Sequence, residues 1–361
     1  MKILTVVGAR PQFIKAAVLS RLIAEDSDIE EVLVHTGQHF DASMSDIFFK
    51  QMDIHPPNYH LEVNSLSHGA MTGRMLEKIE EVLLIEKPDV VLVFGDTNST
   101  LAGALAAQKL HIPVAHVEAG LRSFNMDMPE EANRILTDRI SSFLFAPTST
   151  AIEHLKAEGY DRFKSLVLLS GDIMLDAALY YANRSNDKAK ISFPLKEKFI
   201  LCTLHRAENT DDPKRLSEIV RALNDLHKEI EVVLPLHPRT KKMLETHNID
   251  LQVHTIEPQG YFEMITLLKN CKLVMTDSGG LQKEAYFFKK PCVTLRDETE
   301  WTELVDNGFN VLAGSSYSLI TKKASIMMAK KLDFTKQLYG DGNAGKKILK
   351  KLKEGIAKDV R

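Results

Sequence analysis

VVLVF (90–94) and FLFA (143–146) are apolar at every position, and KILTVV (2–7) and EVVLPL (231–236) are nearly so. A strand written this way is buried on both faces, whereas a sheet with one wet face alternates apolar and polar residues. Each such run is followed by a polar or glycine-containing loop and then by a helical pattern. The order of the chain is therefore strand, loop, helix, repeated, and that order specifies parallel sheets with helices on both faces.

The first series comprises strands at 2–7, 31–36, 89–94, 112–117, 143–147 and 165–170. Helices are predicted after the first strand (Phe13, Ile14, Ala17, Leu19 and Leu22 marking the apolar face), at 42–52, 67–86, 98–109, 129–142 and 149–158. GDIMLDA (171–177) and the polar stretch 182–194 interrupt the alternation. It resumes with strands at 198–204, 231–236, 251–256, 272–277 and 291–295, and helices at 212–228, 239–246, 261–270 and 280–288. At 361 residues the chain exceeds the ~100–200 of a typical single domain. The expected architecture is α/β: two Rossmann-like doubly wound lobes, 1–172 and 173–340, with a cleft between them and a last helix at 341–361. KKILKKLKEGIAK, near the carboxyl terminus, has the spacing of an amphipathic helix. Ligands of such sheets sit outside the carboxyl ends of the strands.

Composition narrows the function. A net charge of −3, from 46 basic and 49 acidic residues, gives no surplus for nonspecific binding of nucleic acid or membrane surfaces. Cys202, Cys271 and Cys292 are odd in number and lack CxxC spacing, so buried free thiols in a reducing cytosol are expected. The chain opens as a strand with no leader pattern, so a cytoplasmic protein beginning near Met1 is expected.

Chemistry concentrates at strand ends. Between 90 and 131, two buried runs each end at a carboxylate, Asp96 and Glu118, and Glu130 and Glu131 follow. Acidic groups there do not help a core form, so they read as acid/base groups. TDSGGLQKEA (276–285) opens a helix with small residues, a phosphate site at the positive end of the helix dipole or a plain capped turn. Glu284, further along, has the reach for ribose hydroxyls. GARPQ (8–12) places Arg10 after the first strand, with Pro11 in the first helical turn. TLHRAENTDD (203–212) puts His205 and Arg206 at another strand end, and LPLHPRT (234–240) repeats this with His237 and Arg239. Asp277 reads as a turn cap.

Three patterns are set aside. YGDGNAG (339–345) fits GxGxxG but lies near the carboxyl terminus with no strand leading into it, so it is no dinucleotide fingerprint. YFFKK (286–290) fits YxxxK, yet no glycine fingerprint near the start holds an NAD. A metal site from His35, His39, Asp96, His116 and Glu118 lacks ligand spacing, since HTGQH is a strand end and loop.

Taken together, GARPQFIK, HTGQHFD, GDTNST, AHVEAGLRS, MPEEANR, LHRAEN, TDSGGLQKEA, RDETE and YGDG, in that order, resemble the non-hydrolysing UDP-N-acetylglucosamine 2-epimerases over nearly the whole chain. The resemblance implies the glycosyltransferase-B fold, with the last helix crossing back to the first lobe, and neither NAD nor metal. It implies Asp96, Glu118 and Glu130 as catalytic carboxylates, with His205 a catalytic or phosphate-side partner. For the UDP-sugar it implies Arg10, Gln38, His39, Arg206, His237, Ser278, Gly279, Gly280, Glu284 and Arg296, and it suggests a homodimer. Gln12 stands where the family usually has glutamate. GARPQFIK, HTGQHFD, SFNMDMPEE and HRAENTDD look most like the branch acting on UDP-2,3-diacetamido-2,3-dideoxyglucuronate. The implied reaction eliminates UDP to a 2-acetamidoglucal and adds it back with the second carbon inverted. A UDP-sugar glycosyltransferase of the same fold and a nucleotide-sugar sensor are the rival readings.

Overall fold

The computed structural model of the chain describes residues 1–38, 52, 54–184 and 198–359, without the side chains of Arg10, Lys358 and Asp359. Two compact units are formed, one of Met1–Ala177 with Leu338–Arg361 and one of Ala178–Gln337. Every strand pairing is parallel, as the unbroken apolar runs require.

The first unit holds β1 (Lys2–Val7), β2 (Glu30–His35), β3 (Tyr59–His60), β4 (Val90–Phe94), β5 (Val114–Val117), β6 (Phe143–Ala146) and β7 (Leu166–Leu169). Their order across the sheet is β3-β2-β1-β4-β5-β6-β7. The chain therefore runs outward from β1 in one direction and from β4 in the other. That reversal opens a crevice at the carboxyl ends of β1 and β4, where such sheets bind ligands. Helix Asn98–Lys109 lies close over these two strands because it is built from small residues. A Cβ on Gly103 would stand 3.1 Å from Val6 Cγ2 and 3.2 Å from Val93 Cγ1, so the helix could come no nearer with a side chain there.

The second unit holds β8 (Phe199–Thr203), β9 (Glu231–Pro235), β10 (His254–Ile256), β11 (Leu273–Thr276), β12 (Cys292–Thr294) and β13 (Asn310–Leu312), in the order β10-β9-β8-β11-β12-β13. The reversal here falls between β8 and β11. Helix Pro213–Glu229 shows why the pattern folds as it does. Asp212 caps it by accepting from Lys214 N at 2.8 Å, Pro213 needs no hydrogen-bond partner there, and Leu216, Ile219, Val220, Leu223 and Leu226 bury one stripe. Strand β13 and helix Tyr317–Ala329 were not read from the sequence, and both add to this unit. Cys202, Cys271 and Cys292 are free and buried in it. The predicted helix 42–52, apart from Met52, lies outside the described residues.

Helix Ala344–Asp359 belongs to the first unit. Its first turn is held by Asp176, which accepts from Ala344 N at 3.1 Å and Gly345 N at 2.9 Å. Ile348, Leu349, Leu352 and Ile356 are buried, Gly345 lies against Val18 and Leu22, and Lys353 pairs with Asp26 at 2.8 Å. Lys346, Lys347 and Lys350 thus face outward from an apolar stripe that the first unit covers. Leu352→Ala is expected to cost about 2–4 kcal/mol in denaturant unfolding. A loss below about 0.5 kcal/mol, usual for surface sites, would show that this helix stands off the unit.

Candidate active site

At the crevice between β1 and β4, loop 8–9 approaches helix Asn98–Lys109 so closely that a Cβ on Gly8 would lie 2.1 Å from Ser99 Oγ and 2.2 Å from Thr36 Oγ1. Those two hydroxyls share a hydrogen bond of 2.8 Å, and Gln38 Oε1 accepts from Ser99 Oγ at 2.7 Å. Gln12, fully buried, ties the loops together. Its Oε1 accepts from Gly8 N at 2.8 Å and Ala9 N at 3.0 Å, while its Nε2 donates to Phe94 O at 2.8 Å. Only an amide serves both directions, since a carboxylate has no hydrogen to give Phe94 O.

Asp96 follows β4 and Glu118 follows β5. Strand β5 ends at Val117, so Glu118 sits in a turn at φ +77° and not in the strand, and its N–H and that of Ala119 both donate to Phe145 O at 3.1 Å. A left-handed backbone at a glutamate costs energy and persists only when its surroundings hold it. Glu118 pairs with Lys15 from the first helix, both side chains being nine-tenths buried. Gly95, at φ +63°, leaves room for that pair, since a Cβ would stand 3.1 Å from Glu118 Oε2 and 3.3 Å from Lys15 Nζ.

Arg134, from helix Pro129–Ile140, reaches Asp96 Oδ2 from Nε at 3.0 Å and from Nη2 at 2.8 Å, and also pairs with Glu131. Asn133 donates to Asp96 O at 2.9 Å. Burial raises the Asp96 carboxyl above its ordinary value, with Glu118 and Glu130 pushing the same way and Arg134 and Lys15 opposing. Glu131 is different. Burial works against its charge, but N–H groups of Ser123 and Phe124 and the Arg134 guanidinium hold it below the usual range, so it organises the 123–124 turn. Glu130, in the same first turn, is half-buried and near enough to act on Asp96.

Beneath them, buried His116 spans Asp138 Oδ1 and Gly95 O, each 2.7 Å from a ring nitrogen. Asp138 also accepts from Gly120 N at 3.0 Å and Arg122 Nη1 at 2.8 Å, and Arg122 pairs with Glu158.

In the second unit the reversal between β8 and β11 is pinned by Asp277. Fully buried, it accepts from His205 N and Arg206 N, both at 2.9 Å, and its other oxygen lies 3.4 Å from His205 Nδ1. His237 caps helix Pro238–Thr246 by accepting from Arg239 N on Nδ1 at 3.2 Å, and its ring centroid is 5.7 Å from that of His205. Burial lowers the His237 pKa, and His205 and Arg239 add to the effect. Arg239 itself is bound to Asp211. At helix Gly279–Phe287 the N-cap Ser278 makes no side-chain capping bond, and Gly280 faces open space. Glu300 lies against Gly279 and accepts from buried Arg296 at 3.0 Å, while Arg296 Nε has no hydrogen-bond partner among the described residues. Glu284 is half-buried on the same helix.

A family model for UDP-N-acetylglucosamine 2-epimerase matches residues 21–353. The chain belongs to the UDP-N-acetylglucosamine 2-epimerase family. It is 57% identical over 349 residues to the UDP-2,3-diacetamido-2,3-dideoxy-D-glucuronate 2-epimerase of Pseudomonas aeruginosa, covering 96% of this chain and 98% of that one. The crystal structure of the Methanocaldococcus jannaschii UDP-GlcNAc 2-epimerase in complex with UDP-GlcNAc and UDP superposes with a TM-score of 0.89 at 41% identity, covering 98% of this chain and all of the other. A glycosyltransferase of Rickettsia africae, 16% identical with a TM-score of 0.53, shares the fold alone. The α/β fold of two Rossmann-like units expected from the sequence is thus the family's fold.

Within the first unit the epimerase-family chain brings Asp96, Glu118 and Glu130 into one electrostatic cluster, with Gln38 beside the Gly8 loop. Within the second it gathers His205, Arg206 and His237 at the ends of the neighbouring strands β8 and β9, and Ser278, Gly279, Gly280 and Arg296 around one helix start, with Glu284 further along that helix. Arg10 opens the first helix but its side chain is outside the description, and His39 is outside it altogether. Sequence reasoning gave no role to Lys15 or Arg134, the two cations of the cluster. Arg134 had a signal, since it stands one helical turn after Glu130 and Glu131. Lys15 had none, because its partner is 103 residues away.

Gln12→Met keeps the volume and loses every bond. It is expected to cost about 2 kcal/mol or more, because the N–H groups of Gly8 and Ala9 are left buried without acceptors. An unchanged unfolding midpoint would contradict this. For Asp138, burial works against the charge, yet His116 and Arg122 prevail and hold its carboxyl below the ordinary 3.8. Its stabilisation is therefore complete above pH 3.8 and is lost as pH falls through the folded value. The stability gap between the protein and Asp138→Asn is expected to narrow on acidification, and a gap independent of pH would refute the assignment.

Proposed function

We propose that the chain is a non-hydrolysing 2-epimerase of a UDP-N-acetylhexosamine. The observation that carries the reading is the cluster of Asp96, Glu118 and Glu130 at the carboxyl ends of β4 and β5, set among Lys15 and Arg134. Binding a dianionic pyrophosphate calls for no carboxylates, so a mere sensor of nucleotide sugars leaves the cluster unexplained. Proton transfer at a carbon that becomes flanked by positive charge does call for them.

The hydrogen on the second carbon of such a sugar has no carbonyl beside it and is not acidic. Breaking the anomeric C–O bond first solves this. UDP leaves with the electron pair, carbocation character builds on the anomeric carbon, and a carboxylate takes the proton from the second carbon. The product is the 2-acetamidoglucal. A second acid then protonates the opposite face of the second carbon, and UDP oxygen re-forms the bond. Nothing is oxidised and no water is consumed. Asp96, with a raised carboxyl, and its neighbours Glu118 and Glu130 are the groups proposed to move these protons. Lys15 and Arg134 keep the cluster from repelling itself. Exclusion of water protects the glucal.

The nucleotide is assigned to the second unit. The open backbone at Ser278–Gly280, on a helix N-terminus, suits a phosphate. Buried Arg296, whose Nε makes no hydrogen bond among the described residues and lies 3.9 Å from Glu208 Oε1, supplies positive charge there. Arg206 and His237 are assigned to the same UDP, Glu284 to its ribose, and His205 to acid/base or phosphate contact, while Arg10, Gln38 and His39 are proposed as substrate-binding residues of the first unit. The 57% identity to the diacetamido-glucuronate enzyme favours UDP-2,3-diacetamido-2,3-dideoxy-D-glucuronate over UDP-N-acetylglucosamine as substrate. A cytoplasmic homodimer serving cell-surface polysaccharide synthesis is part of the proposal. Among the described residues no helix is long and apolar enough to cross a membrane, and no group of three metal-ligating side chains occurs. Neither NAD nor metal is invoked.

Proton NMR of the protein with each UDP-sugar in deuterated water tests the reading. Deuterium is expected at the second carbon without net release of sugar, and faster with the diacetamido-uronate. Asp96→Asn and Glu118→Gln are expected to lose about 10²–10⁴-fold in kcat. Stoichiometric free sugar would show a hydrolase, an unexchanged second carbon a glycosyltransferase, and full output from both variants a sensor.

A further inference from the structure

We infer that His116 is a positioning residue: a buried imidazolium that fixes the peptide carrying Asp96 to the strand that leads into Glu118. The inference rests on the reading of those carboxylates given above, and it begins from geometry. One ring nitrogen of His116 is 2.7 Å from Gly95 O and the other 2.7 Å from Asp138 Oδ1. A peptide carbonyl has no proton to give, so the nitrogen facing Gly95 donates. Asp138 already accepts from Gly120 N and Arg122 Nη1, both on its other oxygen, which is the environment of an ionised carboxylate. The nitrogen facing Asp138 therefore donates too. A neutral ring would aim a lone pair at an oxygen on one side or the other.

The charges close on themselves. His116 and Arg122 are positive, and Asp138 and Glu158 negative, all joined by hydrogen bonds or ion pairs. The other ionisable groups nearby are Tyr160, which senses Asp138, and the Glu118–Lys15 pair across Gly95. His116 and Asp138 are fully buried, so no water competes for these bonds.

The consequence falls on Asp96. The carbonyl that His116 grips belongs to the peptide joining Gly95 to Asp96. The Gly95 N–H donates in turn to Val117 O at 3.0 Å. Residues 116 and 117 of β5 thus clamp both sides of the left-handed Gly95, directly before Glu118 turns out at φ +77°. Two carboxylates that follow different strands are held in register by one ring, and register is what acid/base work on the two faces of one carbon requires. Sequence reading gave His116 only as a rejected metal ligand.

Nitrogen-15 NMR of the histidine-labelled protein tests the protonation state without any substrate. Both His116 ring nitrogens are expected to carry a proton in the folded protein, as the two donor contacts require. A neutral ring overturns the inference, whatever the activity. The second arm is His116→Gln, which can donate to one partner only. A fall in kcat on the order of 10–100-fold is expected with KM changed less than about threefold, because UDP contacts are untouched. Unchanged kcat in a folded variant, or a loss confined to KM, overturns the positioning role. If His116→Gln does not fold, Asp138→Asn replaces it, with one ring nitrogen expected to deprotonate. A doubly protonated His116 in a protein that exchanges no deuterium into any UDP-sugar would sink the proposed reaction and leave the clamp standing.

Discussion

Carboxylates gathered at the ends of buried strands repel one another and resist burial, and the first unit is arranged around neutralising them. Lys15 pairs with Glu118, Arg134 serves both Asp96 and Glu131, and His116 and Arg122 both meet Asp138. Buried ion pairs seldom stabilise a fold relative to apolar packing. Five ion pairs in one crevice, with a glutamate and a glycine both left-handed beside them, form an arrangement that apolar packing alone would not need. Burial keeps the Asp96 carboxyl raised in spite of its cations.

The second unit solves a different problem with the same topology. Its reversal between β8 and β11 carries one buried carboxylate, Asp277, which is occupied with the backbone of the His205 loop. Near it stand Gly280 in the open, Ser278 uncommitted as a cap, and buried Arg296 between Glu300 and Glu208. On the proposed reading, the first switch point holds the proton-transfer groups and the second the anion site. That division is what a reaction needing a leaving UDP and a migrating proton asks of a duplicated scaffold.

Much of this was legible in the sequence because the signals are local. Runs such as VVLVF encode strands buried on both faces, Asp212-Pro213 encodes a helix start, and the order of motifs points to the family. Asp96, Glu118 and Glu130 announced themselves as charges where a core wants none. What escaped was whatever depends on distant pairing. Lys15 meets Glu118 across 103 residues, and Asp138 meets His116 across 22. Gln12 looks like a mere loss of charge until Phe94 O is seen accepting its Nε2–H. The left-handed turn at Glu118 has no glycine to advertise it. Strand β13 is three residues long, too short for periodicity to register.

The account stands on cleavage of the anomeric C–O bond before the second carbon inverts. It is tested most directly by a substrate carrying oxygen-18 only in the bridge between the sugar and the β-phosphorus, followed by phosphorus-31 NMR. Once UDP is free in the site its β-phosphate oxygens become equivalent by rotation, so the label is predicted to scramble into non-bridging positions in recovered substrate and product. Inverted product that keeps all of its label in the bridge would show that UDP never left, and would contradict the account.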